Sequence, residues 1–123
     1  KGWHLPSHEE WIELEEFIES EAPKNVYVGE ILKATSGWGN WGINNDLSGN
    51  GIDTYGFYAL PSGYRNPEFG NFDELESHVM WWTNTEIDER IVHARALYSD
   101  SGLMYGGALK STGGCVRCVK DSE

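Results

Sequence analysis

The sequence predicts an α+β fold, with N-terminal helices followed by short antiparallel strands and long loops. Three observations lead there. A helix start signal with apolar residues at helical spacing opens the chain. A Gly-, Asn- and Trp-rich stretch without periodicity follows, and the second half reads as short strands divided by turn residues.

Ser7 reads as the N-cap of the first helix and Glu10, three residues on, completes a capping box; Glu9 and Glu10 also suit the positive end of the helix dipole. Trp11, Leu14, Phe17 and Ile18 recur at helical spacing, Glu13, Glu15, Glu16 and Glu19 are expected to face away, and Pro23 stops the helix. A weaker helical stretch runs from Val28 to Ala34. The segment from Thr35 to Asp53 has no periodicity, and Trp38 and Trp41 are expected to anchor it to the body. Strand candidates are Tyr55–Leu60, Val79–Asn84, Arg90–Tyr98, Leu103–Leu109 and Cys115–Lys120, with Ser99 to Gly102 as a hairpin turn. Ile91, His93, Arg95 and Leu97 alternate with Val92, Ala94, Ala96 and Tyr98. Neither set is uniformly apolar, which predicts one face half open to solvent. Trp81 and Trp82 are adjacent, so one faces the core and the other is at least partly accessible.

Length and charge narrow the function. A chain of 123 residues without repeat or linker is expected to form a single domain over residues 1–123. Lys+Arg 9 against Asp+Glu 20 leaves a net charge of −11, which repels phosphate backbones and anionic lipid and argues against nucleic acid as a partner. Apolar runs are too short for membrane insertion. Six Trp and six Tyr argue against an acidic disordered tail.

Little in the motifs points to catalysis. His4, His8, His78 and His93 are scattered, without a zinc-ligand run, and no nucleophile elbow occurs. The carboxylate pairs, such as Glu15/Glu16 and Asp88/Glu89, keep a face wet; none stands out as a glycosidase pair. Asp46, Ser48, Asn50 and Gly51 match the first half of a calcium loop, but the twelfth position is Phe57 instead of a bidentate Glu. Asp46, Asn50 and Asp53 are therefore candidate ligands of a looser calcium site, and the alternative is a plain polar turn; no other cofactor is expected. Cys115 and Cys118 lie in an expected strand, where residues three apart are separated by about 10 Å, beyond the ~7 Å a disulfide tolerates.

Six segments stand in a telling order: GWHLPSHEEW (Gly2–Trp11), LKATSGW (Leu32–Trp38), Gly51–Asp53–Tyr55-Gly56-Phe57, ALPSGYR (Ala59–Arg65), WWTNTE (Trp81–Glu86) and VRCVKD (Val116–Asp121). Together they resemble the Fibrobacter succinogenes major paralogous domain family, over nearly the whole chain. The resemblance implies a C-type-lectin-like fold of the branch that includes formylglycine-generating enzyme, and a secreted or bacterial cell-surface location. It also implies a Cys-Pro before the Gly-Trp-His motif as a disulfide partner for Cys118. The chain starts at Lys1, so an N-terminal piece is expected to be lacking, and the strand edge so exposed would invite self-association.

The departures from the family pattern fall at His93, Ala94, Ala96, Met104, Tyr105, Gly106, Ala108, Gly114 and Cys115, within a conserved-looking frame of Trp81, Trp82, Glu86, Leu97, Lys110 and Val116. Some relatives of the fold are hypervariable on their late strands. Residues 81–115 are accordingly expected to present a ligand-binding face, with Trp82, Glu86, His93, Arg95, Met104 and Tyr105 as its contacts. The expected function is a non-enzymatic extracellular domain recognising a glycan or a protein surface. The alternatives are an enzyme of the formylglycine-generating branch, whose copper-binding thiol pair Cys115 and Cys118 do not obviously reproduce, and a structural adhesin or surface-assembly module.

Overall fold

The computed structural model describes residues 1–102, 104 and 106–122. In chain order the elements are β1 (Trp3–His4), α1 (His8–Glu21), α2 (Val28–Leu32), β2 (Tyr64–Arg65), β3 (Phe72–Asp73), β4 (His78–Glu86), β5 (Ile91–Tyr98), β6 (Ala108–Leu109) and β7 (Val119–Lys120). All the strand pairs are antiparallel: β1 with β7, β2 with β3, and a three-stranded sheet ordered β4-β5-β6. Helices lie first and antiparallel strands afterwards, so the fold class is α+β.

Helix α1 starts as the sequence requires. The Ser7 hydroxyl accepts the Glu10 N–H at 3.1 Å, and the Glu10 carboxylate accepts the Ser7 N–H at 2.8 Å. Trp11 and Ile18 are buried and Leu14 partly so, but Phe17 is 53% exposed. Glu15 points inward instead. Positions 8, 11, 15 and 18 share one stripe of the helix, and Glu15 meets a cation there, Arg95 of β5.

The residues after α2 have no regular structure of their own, yet their backbone is spent usefully. The N–H groups of Ile52, Thr54 and Ala59 bond the carbonyls of Glu30, Ile31 and Leu32, capping the end of α2. Gly51 N–H bonds Ala34 O, and a Cβ at Gly51 would stand 2.5 Å from the Glu30 and Lys33 carbonyl oxygens, so only glycine fits. Trp38 anchors this segment as expected: its ring is buried and its Nε1–H donates to Ala59 O at 2.8 Å. Trp41 does not. It is 37% exposed and closes its own small loop, through backbone bonds with Leu47 and an Nε1–H bond to Ser48 O.

The long hairpin is β4 and β5, joined at residues 87–90, where the Asp88 carboxylate accepts the Arg90 and Ile91 N–H groups. Those two backbone bonds hold its carboxyl below the usual range. Ser99 to Gly102 is a turn but not a hairpin turn. Strand β6 pairs with the opposite end of β5 (Ile91↔Leu109, Val92↔Ala108), not with the end that a hairpin turn at Ser99 to Gly102 would join. Three other expected strands shrink. Tyr55–Leu60 contributes a single bridge at Ala59, because the Gly56 and Tyr58 N–H groups turn back onto Asp53 and only Ala59 N–H reaches α2. Leu103–Leu109 retains Ala108–Leu109, with Leu103 and Tyr105 outside the described residues. Cys115–Lys120 splits into a bridge at Cys115 and β7. The ends of the chain pair with each other through β1 and β7 (Trp3↔Lys120, His4↔Val119). The core lies between α1, α2 and the inner face of the hairpin, built from Trp11, Ile18, Leu32, Trp38, Val79, Trp81 and Leu97.

Candidate functional site

Cross-strand register divides the hairpin into two faces. Met80 stands opposite Ala96, Trp82 opposite Ala94 and His78 opposite Tyr98, so these six residues share the outer face; Val79, Trp81, Arg95 and Leu97 share the inner one. Trp81 is buried and Trp82 half-buried, as two adjacent strand residues require.

The six expected ligand contacts are therefore not brought together. Arg95 is buried under α1, where Nε donates to the Glu15 carboxylate, Nη1 to Ala94 O and Nη2 to His8 Nδ1. His93 stacks on His8 with ring centroids 3.8 Å apart. Because a guanidinium only donates, His8 Nδ1 must accept, which fixes a neutral imidazole protonated on Nε2. Burial, then the charge of Arg95, push the His8 pKa down, in agreement. Met104 packs against the core, and Tyr105 lies outside the described residues. Glu86 is exposed and paired with Lys110 at 2.9 Å. Of the six, Trp82 and Glu86 line one shallow pocket together, with Val92 and Lys110. The alternation of strand side chains separates what proximity in sequence suggests.

Two of the three expected calcium ligands also serve the loop's own backbone. Asn50 Oδ1 accepts the Trp38 N–H and Asp53 Oδ1 accepts the Tyr58 N–H, both as loop closures. Asp46 is exposed against Gly42. Among the described residues no group of three or more His, Cys, Asp or Glu side chains is placed to hold a metal ion. Both thiols are free: Cys115 contacts the Ser62 hydroxyl at 3.1 Å, while Cys118 is exposed beside α1.

The outer face of the hairpin instead carries a groove of about 480 Å³. Met80, Ala94 and Ala96 form its floor, His78 and Tyr98 one end, and Asp100–Ser101 and Gly106–Gly107 its walls. The walls are pinned. Lys33 Nζ donates to Ser101 O at 2.8 Å, and Gly29 N–H donates to Gly102 O at 2.7 Å, tying the turn to α2. Gly106 lies so close to β5 that a Cβ would come within 2.9 Å of Ala94 O. Burial lowers the Lys33 pKa, against the pull of Glu30 and Asp100. His78 is 4% exposed, wedged between the rings of Tyr64 and Tyr98, with its Nδ1 unpartnered. Burial alone takes its pKa to about 4, so it is neutral at physiological pH. Asp100 is then the one charged residue lining the groove among the described residues.

Sequence reasoning did not single out this groove, although the signal was present. Ala94 and Ala96 form a run of small residues on one face of β5.

No curated protein and no solved structure matches the chain. The profile of the Fibrobacter succinogenes major domain, a bacterial domain family, matches residues 1–120. Agreement over that span, with the motifs from Gly2 to Asp121 in order, places the chain in the Fibrobacter succinogenes major domain family.

Proposed function

We propose that this chain is a non-enzymatic, extracellular ligand-binding domain of C-type-lectin-like fold, and that its ligand is a glycan held in the groove on the outer face of β4 and β5. The observation that carries the reading is the coincidence of groove and departure: Ala94, Ala96 and Gly106 depart from the family pattern, and all three line the cavity. Truncated side chains on a pinned sheet make room without loosening the frame.

The chemistry suits a neutral polyol. The apolar floor of Met80, Ala94 and Ala96 accommodates the C–H face of a sugar ring. Asp100 accepts hydroxyl protons at the rim. A net charge of −11 disfavours acidic glycans. His78 is a poor general base: its pKa near 4 and its unpartnered Nδ1 leave it without the orienting group that such a base uses.

The test is a glycan-array screen of the purified domain, repeated with chelator. Saturable binding to a neutral glycan in both conditions supports the reading. Absence of binding across the array overturns it and moves the search to a protein partner. Binding lost on chelation would return the Asp46–Asp53 segment to the site.

A further inference from the structure

On the other side of the molecule, a cleft of about 530 Å³ runs between α1 and the C-terminal segment. Leu14 and Phe17 of α1 and Val119 of β7 supply apolar walls, and Phe57 lies between them, held edge-on against Trp81 with centroids 5.6 Å apart. Phe17, although 53% exposed, also touches Tyr55 at 5.7 Å, so the apolar surface continues out of the cleft.

The charges are sorted by wall. Glu13 stands on the helix side; Arg117 and Lys120 stand on the other. None of the three makes an ion pair or a side-chain hydrogen bond among the described residues. Glu10, at the end of the cleft, is already engaged by Ser7 N–H and His4. The Arg117 guanidinium is fixed 3.9 Å over the Phe57 ring, so it meets a ligand with little freedom left to lose. A ligand complementary to these walls carries a carboxylate for Arg117 and Lys120, an ammonium for Glu13 and apolar bulk between.

We propose that this cleft is a second binding site, separate from the groove, which takes a short apolar peptide with both termini free. It does not depend on the glycan reading, since it shares no residue with the groove.

The experiment is calorimetric titration of leucyl-phenylalanine into the domain at pH 7 and low ionic strength. Saturable binding is expected. N-acetylation or C-terminal amidation of the peptide, and the variants Glu13→Gln and Arg117→Gln, should each weaken it by about tenfold, the loss of one charge-assisted contact. Both variants are at exposed positions, and circular dichroism verifies that they fold. Two controls away from the cleft, Glu86→Gln and Ala96→Trp, should leave the affinity unchanged. No saturable heat at millimolar peptide, or binding indifferent to the end-blocks and to both variants, would overturn the proposal.

Discussion

Arg95 of β5 and Glu15 of α1 form an ion pair between strand and helix, with side-chain exposures of 8% and 23%. Together with the bond from Arg95 Nη2 to His8 Nδ1 it fastens β5 to α1, and it explains why an arginine stands on the inner face of the hairpin. Removing one partner strands the other charge in a poorly hydrated place. Arg95→Ala is expected to cost about 3 kcal/mol of unfolding free energy, read from urea denaturation. The double variant Arg95→Met/Glu15→Leu should recover most of it. An Arg95→Ala protein of unchanged stability would show that the pair contributes nothing.

His78 gives stability a defined pH dependence. Its folded pKa of about 4 lies below the ordinary histidine value of 6.5, so the unfolded chain binds a proton that the folded one refuses. Its contribution is fully present above pH 6.5 and is lost as pH falls towards about 4, by roughly 3 kcal/mol in all. Replacing it, as in His78→Phe, should flatten that part of the stability profile. An identical slope in the variant would assign the titration elsewhere.

His4 works in the opposite sense. Its ring nitrogens lie 2.7 Å from Asp121 and 2.7 Å from Glu10, so it fastens β1 to both α1 and the end of β7. Hydrogen bonds to Asp121 first, and to Glu10 next, raise its pKa. This fastening is in place below the ordinary histidine pKa and is lost as pH rises through the raised value. Glu10 sets the lower limit: the Ser7 N–H bond, then His4, lower its pKa, so its share is lost only as pH falls through that depressed value. Amide exchange at His4 and Val119, the directly bonded pair of the two strands, should therefore be best protected between the two limits, and His4→Gln should abolish the loss at high pH. Protection independent of pH would contradict this.

Asn50 and Asp53 close the segment after α2 by accepting the Trp38 and Tyr58 N–H groups. Asn50→Ala removes the acceptor for Trp38 N–H and is expected to cost about 1 kcal/mol, to the same extent in calcium and in chelator. A melting temperature that rises with calcium in the parent protein and not in the variant would restore the metal reading.

The parts of the fold written in local chemistry were legible. The Ser7/Glu10 capping box needs residues three apart and nothing else, and β4 and β5 announce themselves by composition. Glu15 misled because helical spacing allows its place on the buried stripe, while only a cation from β5 makes a carboxylate tolerable there. Ser99 to Gly102 has the turn chemistry expected, with Ser101 N–H bonded to Tyr98 O, but which strand follows a turn is decided by pairing far along the chain. The groove failed to show for the same reason. Alternation revealed the small residues of β5, whereas the walls come from Asp100–Ser101 and Gly106–Gly107, and Ser101 and Gly102 are tied down by Lys33 and Gly29, far away in sequence.

The central claim is that the outer face of β4 and β5 holds a glycan. Its most direct test is calorimetric titration of the best array ligand into the parent protein and into Ala96→Trp, which fills the groove floor without touching the inner face. The account predicts that the indole weakens binding at least about tenfold, the loss of one well-made contact region, while the melting temperature is kept. Unchanged affinity in Ala96→Trp would place the ligand elsewhere and contradict the account.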